Sequence, residues 1–129
     1  WAGAYSTLGP TRLYVGTLDQ RNQGASGVEV LFHEAAHALI RPVRDAIGAA
    51  ADAQNKIVRD LWHVVLFVTA GEVVRRRIPG YQPYGARLGL YDKGPWQQYN
   101  AVVARHWQPY LDGSLDFDAA ITRMVGALT

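Results

Sequence analysis

The sequence predicts one helix-dominated α+β domain spanning residues 1–129, and three observations predict it. A short stretch near the N-terminus alternates in the period of a strand. Long apolar stretches with helical spacing fill most of the remainder. Prolines and glycines fall at the joints between them.

The first 25 residues are rich in Gly, Thr and Tyr, and Gly9-Pro10 makes a turn. TRLYVGT, 11–17, sets Arg12 and Tyr14 against Leu13 and Val15, with the β-branched and aromatic bias of a strand. LDQRNQGASG then reads as a loop. Ser26 followed three residues on by Glu29 has the spacing of a capping box, which predicts a helix over 27–40. Pro42 stops or kinks that helix, because it lacks the backbone N–H that the ladder needs. Residues 43–54 are Ala-rich and helical, and 56–77 predict a long helix ending before Pro79-Gly80. IPGYQPYGARLGLYDKGP, 78–95, is a loop by its Pro and Gly content. Residues 95–111 predict an amphipathic helix interrupted near Pro109, and Ser114 is the expected cap of a last helix with Asp116 and Asp118 in its first turn.

Composition closes several routes. No cysteine is present, so disulfides, thiolate metal sites and cysteine nucleophiles are excluded, and any metal is left to His, Asp or Glu. Thirteen Lys and Arg against 11 Asp and Glu is too slight an excess to predict a nucleic acid partner. The Arg75-Arg76-Arg77 run falls where a helix C-terminus favours cations. No apolar run approaches the roughly 20 residues of a membrane span, so no membrane partner is expected. The chain begins at Trp1 and its one methionine is Met124. That is read as a processed form of a longer product, with export favoured over simple loss of an upstream segment. The sequence is silent on oligomeric state.

Chemistry concentrates in VLFHEAAHALI, 30–40. At 3.6 residues per turn, His33 and His37 stand one above the other and aim at one point, as two ligands of a zinc ion do. Glu34 lies beside that point, placed to take a proton from a water and hand it on. HEAAH therefore matches HExxH in full. Three protein ligands are the usual number at a catalytic zinc. A metzincin would carry Gly and His at 40 and 43, where this chain has Ile40 and Val43. Among the glutamates Glu29, Glu34 and Glu72, Glu72 alone lies downstream, in an apolar helix where an unpaired carboxylate is costly. It is the expected third ligand; its other reading is a salt bridge to Arg75 or Arg76. His63 is the rival. It precedes Glu72 by nine positions, about 180° around a regular helix, so one ion cannot face both. His63 shares its side with Leu66, Phe67 and Ala70, and its other readings are a group stabilising an oxyanion beside the ligands or a core histidine. His106 is expected to be structural or exposed.

HEAAH at 33–37 with a helix-borne Glu72 resembles the gluzincin class of zinc metallopeptidases, over roughly residues 11–77. The resemblance implies a zincin-like fold, one zinc ion on His33, His37 and Glu72, and peptide hydrolysis by a metal-activated water with Glu34 as general base and then acid. It implies that TRLYVGT is a sheet edge receiving an extended peptide by strand addition. It also asks for an oxyanion donor, for which Tyr81 and Tyr84 are candidates and Tyr84 is favoured; His63 is a further catalytic candidate, and Arg87 is a candidate clamp for a substrate carboxylate. The family's acidic residue four positions past the third ligand is replaced by Arg76, which puts the Glu72 assignment in doubt. Two other readings stay open: a zinc-stabilised binding module without turnover, and a metal-dependent hydrolase of a non-peptide substrate.

Overall fold

The computed structural model describes residues 3–94 and 96–128. Helices dominate, beside one small antiparallel sheet, so the structure is of the α+β kind. The chain divides into two compact units, one of residues 1–41 with 66–88 and one of 42–65 with 89–129.

The first unit opens with β1 (Ala4–Leu8) and β2 (Thr11–Val15), paired antiparallel around the Gly9-Pro10 turn. The sequence does not announce β1. AYSTL carries too little apolar bulk to signal a strand; what it gains comes from pairing. Tyr5 faces Tyr14 across the ladder and their rings stack at 4.6 Å, a cross-strand pair of the kind that fixes register. A 3-10 turn at Gln20–Asn22, capped by the Asp19 carboxylate, leads into α1 (Gly24–Ala36).

α1 starts three residues earlier than the capping box predicts. Ser26 and Glu29 lie buried inside it, and Gln23 precedes it without a side-chain cap bond. The junction depends on close approach at Gly27: a Cβ there would stand 2.4 Å from the Asn22 carbonyl oxygen. Asn22 cannot easily give way, because its side-chain N–H groups donate to the Gly3 and Gly16 carbonyls. Gly27→Ala is therefore expected to lower stability by about 2–3 kcal/mol, measured by urea unfolding; a change below about 0.5 kcal/mol would show that the junction is loose.

The helix ends sooner than expected. His37 keeps helical dihedrals as the C-cap, turns continue through Leu39, and α2 (Arg41–Ala53) restarts with Pro42 in its first turn. α3 (Leu61–Arg77) begins after Asp60, whose positive φ of 57° breaks the chain from the preceding residues. Residues 56–60 are thus outside the helix predicted for them. In the first unit Val30, Leu66, Ala70 and Val74 form the apolar centre, and α4 (Tyr84–Arg87), a single turn within the predicted loop, packs on α1.

The second unit holds α2, the first turn of α3, α5 (Trp96–His106), α6 (Gln108–Leu111) and α7 (Phe117–Gly126). Its core is Ile47, Leu61, Val64, Val103, Ile121 and Met124, with Trp107, Tyr110 and Phe117 in mutual ring contact. Asp116, not Ser114, caps α7 by accepting from the Ala119 N–H, while the Ser114 hydroxyl donates to the Pro109 carbonyl. Lys56 fastens the end of α7 by donating to the Gly126 and Leu128 carbonyls.

Candidate metal centre

α1 is amphipathic in an inverted sense. Its buried residues include Ser26, Glu29, His33 and Glu34, while Val28, Leu31 and Phe32 are exposed. Burying a polar face and exposing an apolar one costs free energy unless the polar groups are bonded or serve chemistry. The greasy look of VLFHEAAHALI is therefore misleading, because much of its apolar matter faces outward.

His33 is held by a stack against Phe67 of α3, ring centroids 3.8 Å apart. His37, one turn on and half-buried, meets His33 edge-on, with the two Nε2 atoms 3.2 Å apart. Burial lowers the His37 pKa, keeping its imidazole neutral and able to donate a lone pair. α3 runs unbroken through this region, and one turn before Phe67 it carries His63. His63 is backed by the Trp62 ring and meets Trp96 edge-on.

This donor set suits a metal ion. Two ligands of a tetrahedral ion, each about 2.0–2.1 Å out, stand roughly 3.3 Å from one another, close to the observed Nε2 separation. Imidazole donors without a thiolate fit zinc, among other divalent transition ions. No protein-family model, no curated protein and no solved structure matches the chain. A functional reading therefore rests on the geometry of the site.

Glu34 is buried next to His33, and both line a cavity of about 120 Å³ together with Ala4, Asn22, Phe67 and Tyr84. Burial raises the Glu34 pKa, and the nearby Ser6 hydroxyl offsets part of the rise. The sheet residues at the site thus belong to β1, through Ala4 and Ser6. β2, the strand singled out in the sequence as the peptide-binding edge, pairs with β1 and is the other edge of this two-stranded sheet.

Glu72 is not in the histidine cluster. It is buried, and its carboxylate accepts from Arg75 Nε and Nη2 and from Arg76 Nε, all at 2.7–2.8 Å. The side of α3 that meets α1 is that of Phe67, which stacks on His33, and Glu72 lies about 140° further round the helix. The arginine bonds hold the Glu72 pKa down to about 2. A depressed carboxylate contributes stability above its ordinary value of 4.5 and loses it as pH falls toward 2. With both arginines about half exposed and solvent screening allowed for, the contribution is on the order of 1–2 kcal/mol. Comparison of wild type and Glu72→Gln by urea unfolding should therefore show the gap at pH 7 and lose it near pH 2; a gap independent of pH would contradict the ion pairs.

Tyr84 lines the cavity, its ring parallel to Phe67 at 6.4 Å, and the Arg87 guanidinium lies 5.7 Å from the Tyr84 centroid. Arg87 also donates to the Ser26 hydroxyl at 2.9 Å. Tyr81 turns inward instead and donates to Glu29 Oε2 at 2.7 Å. Its pKa is pushed up to about 12, chiefly by burial. His106 lies away on α5, partly exposed. Glu29 is a site residue that the sequence does not single out. Its spacing is the available signal, because a residue four before His33 shares its inward side.

Proposed function

We propose that the chain is a zinc-dependent hydrolase of peptide bonds, with His33 and His37 as metal ligands and Glu34 as general base and acid, on a zincin-like arrangement of strand and helices. The observation that carries this reading is two converging imidazoles with a buried carboxylate immediately beside them, His33 and Glu34 lining one cavity. Zinc on such a ligand set would supply a Lewis acid that polarises a carbonyl and acidifies a water. Glu34 takes the proton from the attacking water at its carboxylate and delivers it to the leaving amine. Tyr84 is the group in the cavity wall best suited to donate to the developing oxyanion.

A peptide is favoured over other substrates by β1. It has one neighbour in the sheet, and its residues Ala4 and Ser6 are those that meet the site. An extended peptide added along such a strand would run past Glu34. The test is hydrolysis of a quenched fluorescent peptide library by protein carrying one equivalent of zinc, before and after chelation. Hydrolysis that disappears with the chelator and returns with zinc is expected. A tightly bound equivalent with no hydrolysis would instead favour a stabilising ion.

A further inference from the structure

Glu29 is 1% exposed and lies one helical turn before His33. Its Oε2 accepts two bonds from the far side of the cavity, one from the Tyr81 hydroxyl at 2.7 Å and one from the Tyr84 backbone N–H at 2.8 Å. Its Oε1 is buried without a hydrogen bond. That oxygen faces α3 at Gly71, where an added Cβ would stand 3.1 Å from it and 2.7 Å from the Pro83 Cβ. The glycine thus admits both the carboxyl and the 81–84 segment. Ser26 completes the arrangement, its hydroxyl accepting from Arg87. A carboxyl group buried this deeply is expensive, and an apolar side chain would fill the space at less cost. What it does that an apolar group cannot is accept from two donors of one segment.

We propose that Glu29 is a positioning residue: by fastening Tyr81 and the Tyr84 backbone to the helix that bears His33 and Glu34, it sets Tyr84 as a wall of the cavity. The segment YQPY, 81–84, has an aromatic at each end and a proline that offers no backbone N–H of its own. The carboxyl group supplies a hold on it from the same helix that supplies two of the metal ligands, so the wall and the ligands keep a common reference. The kinetic consequence rests on the hydrolase reading; the ordering of Tyr84 does not.

Amide hydrogen exchange and zinc titration separate the two. In the wild type the Tyr84 amide is expected to exchange at least about tenfold more slowly than that of exposed Gln82. Glu29→Met, close in volume but without an acceptor, should remove that protection, and Glu29→Gln, which keeps an acceptor oxygen, should restore most of it. Zinc affinity should stay within about twofold in both. If hydrolysis is present, Glu29→Met should lose about tenfold in kcat with little change in KM, recovered in Glu29→Gln. An unprotected Tyr84 amide in the wild type overturns the proposal even where the variants fail to fold. So does protection that survives Glu29→Met, or zinc affinity lost in step with it. Absence of hydrolysis with the exchange pattern intact would remove the hydrolase reading and leave the role of Glu29 standing.

Discussion

Glu34→Gln is expected to bind zinc as tightly as the wild type while hydrolysing peptides about a thousandfold more slowly, within the range that loss of a general base brings. The substitution is nearly isosteric, so the cavity wall should not move. What it removes is a basic oxygen beside the histidines. Burial without a charged partner keeps this carboxyl above the ordinary carboxylate range, which costs stability at neutral pH and therefore demands a use. The check is a parallel measurement of zinc stoichiometry and initial rate. Retained hydrolysis would remove Glu34 from the mechanism, and lost zinc would make it a ligand.

His33→Ala should weaken zinc binding on the order of a hundredfold or more, because it removes one of the two imidazoles that meet. Glu72→Gln should leave affinity within about twofold, since that carboxylate is already saturated by Arg75 and Arg76. The pair of variants is informative because His33 meets His37 while the Glu72 carboxylate is held by arginines. Competition titration against a chromophoric chelator gives both constants. The reverse order of effects would restore Glu72 as ligand and require α3 to turn about its axis.

Legibility in the sequence depends on how local each signal is. HEAAH is legible, because the i, i+4 spacing places two imidazoles together whatever surrounds the helix. The partners of Glu72 are not. α3 is apolar on nearly all sides, with Leu61, Val64, Val65, Leu66, Ala70 and Val74 all buried, so no polar stripe reveals which side meets α1. A ring contact from another element, Phe67 on His33, supplies that. Ser26 and Glu29 show the converse failure. Their spacing fits a capping box, yet the same spacing places both on the inward side of α1, where they bond Tyr81, Tyr84 and Arg87. β1 is hidden because AYSTL becomes a strand by pairing with β2 rather than by its own preference. The breaks at Pro42 and Pro109 are legible, since a missing N–H acts in any context.

Zinc chemistry at this site requires the His33 and His37 imidazoles to converge on a single ion. X-ray absorption at the zinc edge of protein loaded with one equivalent, wild type and His37→Ala, counts them directly. Imidazole nitrogens at about 2.0–2.1 Å in the wild type, and one fewer in His37→Ala, are the predicted result. Zinc bound without ordered nitrogen neighbours, or a coordination sphere unchanged in His37→Ala, would contradict it.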